Sequence, residues 1–311
     1  MNKRDLCNNK KFPDLEDDFN IIVDRKKRLS FIDEKNNIWL EGKKISEGGH
    51  GKVIEFISHN KDYSDLAVKF FIAEEEEEYL LDMQEETDIV NFFNLHKCKN
   101  FLNMGVKDIH GDKIIVMEKI DGDILNFNFE KYEYPIKIFE KMVMFIVSGF
   151  RCALRKDKYY MDIKEENIGF KLCKNGPVFT LLDFGSFFDK NNTNPVSSYY
   201  INRYANNNNF FSNEMVFVFG TIITLLSARL LIRSKLDSKT FSDFVYSLSE
   251  EKKYQDTSLL EKNYYYRIKN FFLDLFNGKD EFVDILFECL NDLTIIDPDV
   301  YVFLKRIDYY S

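Results

Sequence analysis

The sequence predicts an α+β chain: a small β-rich part with one main helix, then a larger and mostly helical part. Three observations carry this. Short stretches rich in β-branched and aromatic residues crowd residues 38–72 and return at 113–120. The stretch 74–95 has no Pro or Gly and spaces its apolar residues as a helix does. Beyond residue 121, long apolar and amphipathic stretches dominate, with two short strand-like runs among them. A chain of 311 residues, 45% of them hydrophobic, can bury a core for such an arrangement.

Residues 1–28 are polar and lysine-rich without a sustained period, and are expected to form a loosely held arm. IWLEGKKI, KVIEFI and LAVKFFI follow as strands, separated by glycine or Asn/Asp turns. The 74–95 helix opens on Glu74–Glu78, a solvated face or first turn where negative charge suits the helix dipole. KIIVMEKI (113–120) is a further strand, and the DGD after it breaks the chain. This gives an arm at 1–28, a first lobe at 29–120 and a second at 121–311. In the second, PIKIFEKMVMFIVSGFRCALRKD, the apolar 215–232 run and several stretches through 240–305 are expected as helices, with NIGFKL and VFTLLDF as short strands.

Charge and composition exclude several classes. A net charge of −9 argues against a general nucleic-acid binder, which needs a basic surface, so no nucleic-acid partner is expected. Cys7, Cys98, Cys152, Cys173 and Cys289 lie far apart with no C-x-x-C pair and read as reduced and intracellular. The charged N-terminus has no apolar run of the secretory kind. The 215–232 run is interrupted by Arg229 and closed by Arg233, short of the roughly 20 residues a bilayer needs, so no membrane span is expected.

Four clusters carry chemistry. In ISEGGHGKV (45–53), glycines at 48, 49 and 51 let backbone amides approach an anion, although three nearby glycines also make an ordinary tight hairpin. In AVKFF, Lys69 sits on an apolar strand; it must snorkel to solvent or find anions. Its carboxylate partner is expected to be Glu86, since Ile89, Val90 and Phe93 turn that face inward; Glu85 is the other candidate. In YYMDIKEENIGF (159–170), Asp162, Lys164 and Asn167 offer a proton acceptor, a cation and an oxygen ligand, though a polar turn has the same composition. In LLDFG (181–185), Asp183 ends an apolar strand; read plainly, Asp-Phe-Gly is a strand-ending turn.

Together and in this order, the clusters resemble the eukaryotic-type protein kinase family from about Ile38 to the C-terminus. The resemblance implies a bilobal protein-kinase-like fold and ATP-dependent phosphorylation of protein serine/threonine hydroxyls, with ATP and Mg²⁺ as cofactors. Gly48 and Gly51 match the second and third loop glycines and Val53 the valine that follows, with Ser46 and Gly49 in the same loop. By the same resemblance, Lys69, on the strand that also carries Ala67, anchors the α and β phosphates and is fixed by Glu86. Met117 is the gatekeeper, and Glu118 to Ile120 contact adenine. Asp162 is the catalytic base, Lys164 offsets charge on the γ-phosphoryl group, and Asn167 and Asp183 hold the metal. Lysine two residues after the base implies serine/threonine specificity.

The chain also departs from that family. Ser46 replaces the first loop glycine, and Tyr160-Met161 replaces His-Arg before the aspartate, which implies activity independent of activation-segment phosphorylation. No Ala-Pro-Glu equivalent is found before residue 215; Glu214 stands nearest the position of a missing aspartate, and 197–211 is a divergent docking segment. Two rivals follow: a pseudokinase that scaffolds without turnover, and a small-molecule kinase, against which Lys164 speaks. Richness in Asn, Lys, Ile and Phe suggests an AT-rich genome, and the irregular second half resembles kinases of large DNA viruses or bacterial effectors. That implies a cytoplasmic location, in a host cell for those two types.

Overall fold

β-Branched and aromatic runs between residues 20 and 118 pair into the sheet that dominates the computed structural model. The structure describes residues 4–7, 9–14, 20–23, 28–48, 51–72, 76–96, 101–109 and 112–189, with residues 217, 220, 221, 224, 225, 228, 229 and 232. The chain divides into two compact units: Met1–Gly122 with Gly169–Gly185, and Asp123–Ile168 with Ser186–Ser311.

In the first unit, β1 (Asn20–Val23), β2 (Leu29–Ile32), β3 (Ile38–Gly48), β4 (Gly51–Ser58), β5 (Leu66–Phe71), β6 (Met104–Ile109) and β7 (Asp112–Glu118) form a seven-stranded sheet. Its order is β1-β2-β3-β4-β5-β7-β6 and every pairing is antiparallel. Register shifts in β3, between Glu41 and Lys44 and between Lys44 and Ser46, bend the strand and help the sheet curl into a half-barrel. One face closes on a core of Phe12, Phe31, Trp39, Ile54, Phe56, Tyr63, Leu66, Val68, Ile114 and Val116. Trp39 is fully buried and donates its indole N–H to Ser64 O at 2.9 Å.

Directly opposed residues share a face, so the register defines what the other side carries. Val53, Lys69 and Ile115 form one row of it; Glu55, Ala67 and Met117 form the next. The helix α1 (Glu76–His96) packs against β6 and β7 through a stripe that includes Met83, Glu86, Thr87, Val90 and Phe93.

The second unit contains α2 (Pro135–Leu154), which starts on a proline suited to the first helical turn. It buries Phe139, Met142, Val143, Ile146, Val147 and Phe150. The short β8 (Gly122–Asp123) lies where the sequence passes from the first unit to the second; β9 (Lys158–Tyr160) belongs to the second unit, whereas β10 (Ile168–Cys173) and β11 (Gly176–Leu181) form a hairpin of the first. β12 (Phe187–Asp189) pairs antiparallel with β9. The described residues from 217 to 232 are helical; Phe217, Thr221, Thr224, Leu225, Ala228 and Arg229 are buried.

The structure corrects the expected fold class. The described residues are sheet-rich, with a curled seven-stranded antiparallel half-barrel and two long α-helices, and not a bilobal kinase-like fold with a mostly helical second lobe. The expectation overlooked three strands of that sheet, β1, β2 and β6, and outside it the short β8, β9 and β12. It also drew its helical weight from 240–305, which lies outside the described residues. The individual strands β3, β4, β5, β7, β10 and β11 and the helices α1 and α2 fall where hydrophobic patterning put them.

Two further expectations change. The N-terminal segment is tied down: Phe12 lies in the core, Lys11 N–H donates to Asp62 O at 2.7 Å, and Cys7 forms a disulfide with Cys173. Cys152 is disulfide-bonded as well, so these cysteines are not reduced thiols; wide spacing in sequence hides partners that the fold brings together. Among the described residues, no helix is long and apolar enough to cross a membrane.

Candidate functional site

Strands β3 and β4 meet at Gly48 and Gly51, which pair directly, so the glycine-rich sequence forms a tight hairpin; Gly49 lies outside the described residues. Gly51 has a structural reason of its own. A Cβ there would sit 2.5 Å from Phe70 O, so only glycine lets β4 and β5 approach this closely. Gly48 has nothing within 4 Å. Ser46 pairs with Val53 two steps back along the hairpin.

Lys69, in the middle of β5, forms an ion pair with Glu86 of α1, the carboxylate preferred over Glu85. Its ammonium also lies 5.4 Å from the centre of the Phe71 ring. Asp183 is close by: a Cβ on Gly185 would lie 3.3 Å from Glu86 Oε2 and 3.6 Å from Asp183 Oδ1. The first unit therefore gathers an ammonium and two carboxylates. Asp183 has φ 52°, a left-handed conformation uncommon for a residue other than glycine, of the kind that functional sites hold under constraint. Phe184 anchors it by packing edge-on against Phe93 and Phe101.

Met117 lies between Ala67 and Met104 in the sheet. The Glu118 side chain is deeply buried and fully engaged. It accepts from Leu6 N–H at 2.8 and 3.0 Å, Asn103 Nδ2 at 3.0 Å and Lys171 Nζ at 2.5 Å. Its own N–H donates to Asn103 O at 2.9 Å. Burial pushes the Glu118 carboxyl pKa up, and the Lys171 charge only partly offsets this. Ile120 packs over Gly169, where a Cβ would meet Ile120 Cδ1 at 2.5 Å.

In the second unit, the loop after β9 brings Asp162, Lys164 and Asn167 together. Lys164 Nζ lies 2.5 Å from Asp162 Oδ2. Asn167 Nδ2 donates to Asp162 O at 2.8 Å and to Asp162 Oδ2 at 3.3 Å. Buried Tyr160, Met161 and Ile163 fix the loop from below, and Met161 N–H donates to Ser186 O at 2.9 Å. Thr224 Oγ1 donates to Ile163 O at 3.1 Å, so the 215–232 run supplies a support for the loop. That support was unread in the sequence, since a threonine in an apolar helix usually bonds its own preceding turn. Glu214 and segment 197–211 lie outside the described residues.

Sequence reasoning also missed two polar clusters. One is the Asp5–Lys171–Glu118 network, to which Ser64 Oγ adds a bond to Asp5 at 3.3 Å. The other is the ion pair of Glu55, in the Ala67 row, with Lys119. A lysine interrupting NIGFKL was the available signal for the first; the second had none. The chain matches no protein-family model and no curated protein, so the functional reading rests on these residues and their geometry.

Proposed function

We propose that this chain transfers the γ-phosphoryl group of ATP to serine or threonine hydroxyls of a protein substrate, with magnesium as the metal. The observation that carries the reading is the Asp162–Lys164–Asn167 cluster, in which a carboxylate, an ammonium and an amide are held by hydrogen bonds within one loop. Asp162 accepts the hydroxyl proton as the hydroxyl oxygen forms its bond to the γ-phosphorus. The bond from that phosphorus to the β,γ-bridging oxygen breaks, and ADP leaves. Lys164 offsets the negative charge that spreads over the γ-phosphoryl oxygens.

The Lys69–Glu86 pair supports the nucleotide side of the reading. An ammonium withdrawn from water and oriented by a carboxylate suits phosphate oxygens. Hard oxygen donors fit magnesium: each unit has its own candidate, the Asp183 carboxylate in the first and the Asn167 amide oxygen in the second, since Asn167 spends its amide nitrogen on Asp162. Magnesium, when bound, neutralises phosphate charge.

Calorimetric titration of the full chain with ATP and magnesium tests this first. Binding that weakens about tenfold or more in Lys69→Met and Asp183→Ala is expected, while Asp162→Asn still binds. A wild-type chain that takes up no ATP would end the proposal.

A further inference from the structure

Glu55 and Lys119 are charged groups on the sheet face that carries Lys69, and the phosphate chemistry above does not use them. Glu55 is buried, yet it forms an ion pair with Lys119, whose side chain is 29% exposed. The structure makes room for this carboxylate. Gly42 lies against it, where a Cβ would come within 2.9 Å of Glu55 Oε2, and Lys43 N–H donates to the same oxygen at 3.5 Å. Lys119 is held through its own N–H, which donates to Asp65 O at 3.1 Å. Burial alone would raise the Glu55 pKa, but the Lys119 and Lys43 contacts outweigh it and hold the carboxyl below its ordinary value, as an anion at neutral pH.

The register places this bridge relative to Lys69. Glu55 on β4 faces Ala67 on β5, and Lys119 follows β7 on the far side of β5. The ion pair therefore crosses β5 beside Ala67, whose methyl side chain leaves space. One row along the same face, about 6.5–7 Å away, lie Val53 and Lys69. A nucleotide with its phosphates at Lys69, extended along this face toward residues 118–120, brings its base to the bridge.

Resting on the nucleotide reading above, we propose that Glu55 and Lys119 select the base: Glu55 accepts from the 6-amino group of adenine while Lys119 donates to the neighbouring ring nitrogen. Adenine presents a donor beside an acceptor, which matches a carboxylate beside an ammonium. A 6-oxopurine reverses that order. It sets a carbonyl oxygen against Glu55 and a ring N–H against Lys119, and both contacts repel.

Competition between ATP and inosine triphosphate for the full chain, each with magnesium, reads this directly. Wild type should prefer ATP by at least about tenfold, in line with the worth of a paired donor–acceptor contact to a base edge. Glu55→Gln should narrow the ratio. The double variant Glu55→Lys with Lys119→Glu keeps an ion pair across β5 but exchanges donor and acceptor, so its preference should invert toward inosine triphosphate; unchanged circular dichroism checks its fold. Equal affinity of wild type for the two nucleotides overturns base selection. So does an exchanged variant that still prefers ATP, which would leave the bridge a staple between strands. Either result leaves ATP binding, and with it the proposed activity, standing. Failure of wild type to bind both nucleotides instead sinks the nucleotide reading and this inference with it.

Discussion

Lys69 on β5 and Glu86 on α1, separated by 17 residues of sequence, form an ion pair whose side chains are 15% and 9% exposed. Withdrawing one partner strands the other in a poorly solvated place. Lys69→Met is therefore expected to lower phosphoryl transfer by about 10²-fold or more. It should also cost about 3 kcal/mol of stability, the low end for a broken buried pair because neither group is fully sealed. Steady-state transfer rates and urea unfolding measure the two effects. Glu86→Gln should weaken transfer with a smaller loss of stability, because the amide still accepts a bond from Lys69.

The two hairpin glycines predict opposite tolerances. Gly51→Ala forces a methyl to 2.5 Å from Phe70 O, so β4 and β5 must part, at a cost of about 1–3 kcal/mol. Gly48→Ala meets nothing within 4 Å and is expected to be nearly neutral. Thermal midpoints of the two variants check this, and equal effects would show that the close strand approach is not what glycine provides at residue 51.

The Cys7–Cys173 disulfide joins residues 166 apart in sequence and fastens the N-terminal segment to β10. A cross-link over so long a loop removes much freedom from the unfolded chain, so Cys7→Ser is expected to destabilise by about 2–5 kcal/mol. Differential scanning calorimetry measures it. The substitution is a cleaner test than a reductant, which would also open the bond at Cys152.

Two carboxylates of the first unit give opposite pH responses. Burial raises the Glu118 carboxyl above its ordinary 4.5, so its contribution to stability is present below that pH and is lost as pH rises through the folded-state value. Glu55 has the reverse balance: burial raises it, but Lys119 and Lys43 prevail and lower it, so its contribution is present above 4.5 and is lost as pH falls through the folded-state value. Thermal midpoints followed from about pH 3 to pH 8 should lose part of their alkaline decline in Glu118→Gln and part of their acid decline in Glu55→Gln.

Local structure was legible where pattern and period agreed. LAVKFF and KIIVME are apolar but for Lys69, Lys113 and Glu118, as inner strands of a covered sheet should largely be, and α1 shows its Met83–Glu86–Val90–Phe93 stripe plainly. The pairing of Lys69 with Glu86 was legible for the same reason, because helical spacing singled out one carboxylate. Asp162, Lys164 and Asn167 were legible as a sequence-local cluster. The fold class was not. β1 and β2 lie next to polar stretches, and sheet order depends on contacts that no local pattern encodes. The contacts of Cys7 with Cys173, Asp5 with Lys171, Glu118 with Leu6 and Glu55 with Lys119 were hidden by long separations along the chain.

The central claim is that Asp162 receives the proton of an acceptor hydroxyl while Asp183 helps to hold the metal nucleotide. Transfer of radiolabelled γ-phosphate from ATP to a generic basic protein, or to the chain itself, tests it most directly. The account predicts labelling of serine and threonine by wild type in the presence of magnesium, reduced about 10²–10⁴-fold by Asp162→Asn and lost in Asp183→Ala. Equal labelling by wild type and Asp162→Asn, or labelling that persists when magnesium is chelated, would contradict it.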